Sequence, residues 1–213
     1  MKISYAITTH NETEEINKLL EFLVHNTDKE DEIVILDDFS NEKTQEVFTS
    51  WQAQYGHIKP IKVEQRKLNK NFAAQKNYLT SMCKGSYIFN IDADEIPHPI
   101  LISQIKQILE INDVDLIWIP RVNTVKGITD EHIKKWGWRV TEKGWVNYPD
   151  YQGRVYRNSD KIKWRKPVHE ILSGHETFSH LPPREEFSLY HHKEIKKQEQ
   201  QNKMYEGIIN DKN

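Results

Sequence analysis

Over the first 120 residues, short apolar runs rich in β-branched side chains alternate with stretches of helical periodicity. "KISYAITT" (2–9) and "EIVILDD" (32–38) are runs of the first kind, and between them Ile16, Leu19, Leu20 and Leu23 fall on one helix face. Ser40 stands where a second helix, carrying Val47, Phe48 and Trp51, needs its N-cap. "IKPIKV" (58–63) reads as a strand whose Pro60 suits a sheet edge, and "NFAAQKNYLTSMCKG" (71–85) as a helix stopped by Gly85. A strand over 86–94, a helix over 97–111 and a strand over 115–122 follow. Strands joined by helices pair in parallel, so an open α/β sheet is expected. Ligands bind such sheets outside the carboxyl ends of the strands.

Those ends are unusually polar. Thr8, His10, Asp37, Asp38, Asp92 and Asp94 all lie at them. The run "YIFNIDADEIPHP" (87–99) ends an apolar strand in Asp92, Asp94 and Glu95, and carboxylates there are costly to desolvate unless paired or metal-bound. Helix capping ahead of Pro97 and Pro99 explains one of the three acids, and Glu95 is the one best suited to it. Turn and capping chemistry competes in the same way for Asp37 and Asp38.

A chain of 213 residues can bury one sizeable core with a small appended lobe. Thirty basic and 32 acidic residues leave a net charge of -2, with no overall field for nucleic acid or an anionic membrane. The single cysteine, Cys83, excludes an internal disulfide and reads as a small buried side chain. No apolar run reaches spanning length and no signal-peptide pattern opens the chain, so a cytoplasmic protein is expected, free or peripheral at a membrane. Residues 123–153, rich in Gly and Trp, lack a clean period. "RVYR", "KIKWRKPVHEIL" and "EFSLYHH" look like short strands, and "KEIKKQEQQNKMYEGIIN" closes as a polar helix whose basic face is solvated. The expected organisation is a ligand-binding half over 1–122 and a lobe over 123–213 laid against the same sheet, within one continuous domain. Trp136, Trp138, Trp145 and Tyr148 are assigned to that lobe's core in preference to ring stacking.

"ITTHNE" at the first strand end, "ILDDFSNEKT" at the second and "YIFNIDADE" at the fourth resemble glycosyltransferase family 2, with its GT-A fold. "GRVYR", "WRKPVHE" and "LYHHK" extend the likeness to the subset that includes lipopolysaccharide-core β-glycosyltransferases and phage-borne relatives. The resemblance implies a Rossmann-like, mostly parallel sheet flanked by helices, with a small C-terminal acceptor lobe. It implies a metal-dependent, inverting hexosyl- or pentosyltransferase that uses a nucleotide-diphosphate sugar, a UDP-sugar in preference. Asp94 would then hold Mn2+ or Mg2+, hard cations suited to carboxylate and phosphate oxygens, and Asp92 would contact the ribose, or the metal through water. His191, in preference to His192, would be the late metal ligand. Thr8 and His10 would flank the base, Asp38 would accept the uracil N3 hydrogen, and Lys76 would face the diphosphate. Asn11, Glu12 and Ala93 fall within the matched segments and are counted with the donor-binding set. Asp150, just before an Arg-bearing segment, is the expected general base, with Glu170 its rival.

The acceptor is open between a glycan or lipopolysaccharide hydroxyl and, for a phage protein, a hydroxymethylated DNA base; the lysine-rich, arginine-poor composition is of a kind found in viral and low-GC genomes. A sugar-nucleotide pyrophosphorylase also carries an acid pair, yet needs a Gly-rich, Arg-containing loop where this chain has the acidic "TTHNETEE". A non-catalytic nucleotide-binding module has no use for converging acids.

Overall fold

The computed structural model describes residues 1–210. The chain begins β1 (Ile3–Thr9), α1 (Thr13–Asn26), β2 (Glu32–Asp37), α2 (Glu42–Tyr55), β3 (Ile61–Gln65), α3 (Phe72–Met82) and β4 (Tyr87–Asp92). It continues β5 (Glu95–Pro97), α4 (Pro99–Asn112), β6 (Leu116–Ile119), β7 (Arg121–Lys126), α5 (Asp130–Trp136) and β8 (Gln152–Arg157). Last come β9 (Lys163–Arg165), β10 (Ile171–Ser173), β11 (Phe178–His180), β12 (Leu189–Glu194) and α6 (Ile195–Asn210).

Seven strands form the central sheet in the order β11-β6-β8-β4-β1-β2-β3. All its pairings are parallel except those of β8, which runs antiparallel to both β4 and β6. β1 is the switch point, since β2 and β3 extend the sheet to one side of it and β4 to the other. Register sets Thr8 beside Asp92 and Thr9 beside Asp37, which levels the polar strand ends along one rim. Side chains alternate between faces. Ile3, Tyr5 and Ile7 of β1 pack with the buried Ile16, Leu19, Leu20 and Leu23 of α1 and with α4, while Ala6, Val34 and Ile88 pack with α3 on the other face. Burying each such Leu or Ile contributes about 1.5–3 kcal/mol.

The expected α/β class holds, and the boundaries shift for local reasons. The edge strand expected over 58–63 lies at Ile61–Gln65, with Pro60 just ahead of it: its carbonyl accepts from the Ile33 amide at 2.9 Å, but it has no N–H to donate. α2 is capped by the Asn41 side chain, not by Ser40, whose hydroxyl donates to Asp37. α3 ends at Met82, and Gly85 serves the next strand instead. The run 115–122 divides at Pro120 into β6 and β7, and only β6 enters the central sheet. β7 joins β12 and β5 in a separate three-stranded sheet, while β9 and β10 form a two-stranded one. Residues 123–213 also do more than lie against the sheet, since β8 and β11 are strands of it. α5, over a stretch without visible period, buries none of its residues, and Trp136, Trp138, Trp145 and Tyr148 are half-buried and outside both core clusters.

Gly85 fixes how β4 enters the sheet. A Cβ there would stand 2.6 Å from the Ser4 amide nitrogen and 2.8 Å from the Tyr87 carbonyl oxygen, both rigid backbone. Gly85→Ala should destabilise the protein by about 1–3 kcal/mol in a urea titration. An unchanged midpoint would contradict this packing.

Candidate active site

β4 does not end in free acids. After Asp92 the chain turns through Ala93 and Asp94 into β5, which leaves Glu95 fully buried. Glu95 Oε1 accepts hydrogen bonds from Arg121 Nη1 at 3.0 Å and from Arg154 Nη2 at 2.6 Å, and Oε2 accepts from the Asp92 amide at 3.1 Å. Arg154, buried on β8, also pairs with Asp92. Glu95 is therefore no helix cap: His98 caps α4, and Glu95 neutralises two arginines. Burial acts to raise the Asp92 pKa, but Arg154 and Lys76 outweigh it and hold the carboxyl well below its usual range.

At one end of this cluster lies Lys76 of α3, buried, with its Nζ 2.6 Å from Glu170 and 3.6 Å from Asp92. Its ammonium also stands 4.6 Å from the Trp164 ring centroid. Glu170 is thus half of an ion pair that includes one of the residues expected to face the donor.

Asp94 lies opposite β12. His191 is buried and His192 exposed, as neighbours on a strand must face opposite ways. His191 Nε2 stands 3.4 Å from Asp94 Oδ2. The Asn123 amide nitrogen donates to Asp150 Oδ2 at 2.8 Å, so its oxygen accepts from His191 Nδ1 at 2.7 Å. With Nδ1 donating to Asn123, Nε2 can meet the Asp94 carboxylate as the N–H of an imidazolium, or turn its lone pair to a cation lying between the two side chains. Against burial, His191 lowers the Asp94 pKa to about 2. Among the described residues no three His, Cys, Asp or Glu side chains close into a metal-binding group. Burial, with Asp94 close by, pushes Glu12 up to about 7.

Asp150 completes the polar chain. Its Oδ2 accepts from Arg121 Nε at 3.0 Å, Arg121 Nη2 at 2.7 Å and Asn123, while Oδ1 accepts from Gln152 at 3.0 Å. Burial raises its pKa, but Arg121 and the Asn123 and Gln152 amides bring it below the ordinary value.

Farther along the rim, Asp37 and Asp38 separate. Asp37 is buried and accepts from Ser40, Gln45 and Gln65, which is turn and capping chemistry. Asp38 is half-buried and accepts from the Leu68 amide at 2.9 Å. The exposed His10 ring is held by the Asp38 carbonyl at 2.7 Å and by Asn11 at 2.9 Å. Thr8 stands between Leu36 and Asp92 in the sheet, and Thr9 bonds Glu12 at 3.3 Å. Cys83 is buried, its thiol pushed up to about 12 by burial, so it is no nucleophile. Sequence reasoning missed Arg121, Asn123 and Arg154. Their signal was the pair of segments "PRVN" and "GRVYR", where charged or amide side chains interrupt apolar strands.

A model of the family described as glycosyl transferase family 2 matches residues 4–175. An uncharacterized glycosyltransferase of Methanocaldococcus jannaschii is 29% identical over 119 residues, covering 54% of this chain and 40% of that protein. Glycosyltransferase GlyG of Streptococcus pneumoniae serotype 4 is 28% identical over 116 residues, covering 54% and 37%. The chain therefore spans about two fifths of the length of these curated relatives. The crystal structure of S. aureus TarS 1-349 matches with a TM-score of 0.63 and 18% identity over 90% of this chain and 60% of that one. The same protein in complex with UDP-GlcNAc gives 0.64. At that identity the likeness is one of fold.

Two stability measurements test the buried pairs. Glu95→Gln leaves two arginines short of a counter-charge and should cost about 3–5 kcal/mol in a urea titration. The Asp94 carboxyl, depressed when folded, contributes stability that is full above the unfolded aspartate pKa of about 4. That contribution should vanish as pH falls to about 2, and Asp94→Asn should remove it from the pH profile.

Proposed function

Because the chain belongs to glycosyl transferase family 2, we propose that it moves a sugar from a nucleotide-diphosphate donor, a UDP-sugar first among them, to a hydroxyl of a glycan or lipopolysaccharide acceptor. The observation that carries this reading is the pair Asp94 and His191, a carboxylate and an imidazole 3.4 Å apart on the rim where the sheet's strands end. The fold neighbour crystallised with UDP-GlcNAc supports the choice of donor.

Asp94 and His191 fit Mn2+ or Mg2+, with diphosphate and water oxygens left to fill the remaining positions. A cation held there supplies Lewis acidity at the leaving diphosphate. Lys76 adds a fixed positive charge next to Asp92 on the same side, and Asp38 accepts the base's N3 hydrogen beside the immobilised His10 ring. Glu170 is tied to Lys76 on this donor side, which disfavours it as base. Asp150 serves the acceptor side: its Oδ2 is taken by Arg121 and Asn123, while its Oδ1 accepts from Gln152. Oδ1 takes the acceptor proton as the acceptor oxygen bonds to the anomeric carbon and the bond to the diphosphate breaks. One displacement from the opposite face inverts the configuration.

Asp150→Asn should lower transfer by about 10² to 10⁴ with UDP affinity unchanged. In the wild type the acid limb of kcat/KM should lie below the ordinary aspartate pKa, because the base stays ionised at lower pH. A product of retained configuration, or Glu170→Gln abolishing transfer while Asp150→Asn stays active, overturns the assignment. In thermal shifts, UDP at a hundred times its dissociation constant with Mn2+ should add about 2.7 kcal/mol. Asp94→Asn should lose that metal-dependent gain, whereas Asp38→Ala should weaken UDP alone and leave the metal requirement intact.

A further inference from the structure

α6 begins directly after the strand that carries His191, and its third residue reaches back into the site. Lys197 Nζ stands 3.2 Å from Glu15 Oε1, 3.3 Å from Glu12 Oε1 and 3.7 Å from Asp94 Oδ2. The oxygen it approaches on Asp94 is the one that faces His191. A second contact braces the helix, where Glu199 lies 3.7 Å from His132 of α5. The carboxylates of β1's end, of α1 and of the turn after β4 thus meet at one ammonium.

We propose that Lys197 is the site's built-in counter-ion: it competes with a divalent cation for Asp94, so α6 closes over the rim and is released when that cation binds. This rests on the reading of Asp94 and His191 as cation ligands. An ammonium this close to Asp94 Oδ2 and a doubly charged ion bonded to the same oxygen repel each other strongly. On release Lys197 leaves Glu12 and Glu15 together with Asp94, and the helix loses its tie to the rim. The competition lowers the apparent affinity for the cation by the fraction of time the latch is open.

The test is Mn2+ binding alone, followed by the paramagnetic signal of the free ion, with amide hydrogen exchange of residues 195–203 recorded in parallel. Lys197→Met should tighten Mn2+ by about tenfold, and Mn2+ should speed exchange in α6 of the wild type. Glu15→Gln is the decisive variant. Removing a negative charge near a cation site weakens binding by simple electrostatics, whereas loosening the latch tightens it, here by about twofold to threefold. Unchanged or weaker binding in Lys197→Met, weaker binding in Glu15→Gln, or Mn2+ bound with α6 exchange unaltered overturns the proposal while Asp94 stands. If Asp94→Asn binds Mn2+ as well as the wild type does, or if no variant binds it, the ligand reading and the latch fall together.

Discussion

A fully buried carboxylate, Glu95, sits between two arginines, and the whole rim is arranged around it. Withdrawing one carboxylate and two guanidinium groups from water costs several kcal/mol per ion, which only close geometry and further hydrogen bonds can offset. Both arginines have second partners, Asp92 for Arg154 and Asp150 for Arg121, so the desolvated charges alternate in sign along a continuous line. At one end the line passes through Lys76 to Glu170, and at the other through Asn123 to His191 and Asp94. Such a network does little for stability compared with an apolar core of equal volume. It does fix positions, because moving any one member leaves another unpaired in a low dielectric.

The break at Pro120 makes that line possible. Had the run over 115–122 stayed in one sheet, Arg121 and Asn123 would have continued the ladder beside β8. Instead β6 and β7 belong to different sheets, and β7 pairs with β12 so that Asn123 lies opposite His191. β5 pairs with β12 from the other side and sets Glu95 opposite the same histidine. The small sheet thereby carries the imidazole, the amide and the buried acid in register, while β8 of the large sheet brings Arg154.

The first 120 residues were largely legible, because buried parallel strands and amphipathic helices leave strong periodic signals. The acids at their ends were legible for the same reason, since nothing in an apolar strand calls for "DAD". Glu95 was misjudged. Its three-residue strand is too short for a period, and a carboxylate before two prolines looks like a cap until its arginines are known. Those arginines come from 26 and 59 residues away, a separation at which pattern carries no information. α5 escaped because a helix that buries nothing has no apolar stripe to read, and the half-buried tryptophans around it are neither core nor plain surface.

The antiparallel strand β8 has a consequence for how the chain comes into being. β4 and β6 do not pair with each other; each pairs with β8, which is seated between them. A ribosome finishes β6 more than thirty residues before β8 begins, a delay of about 2–7 s at ordinary rates of synthesis. During that interval the β4 edge stays unpaired and β6 has neither of its sheet neighbours, β8 and β11, the condition under which strands find wrong partners. The first half is therefore not a finished module awaiting a lobe. It is a template with a missing stave, and the late chain closes it.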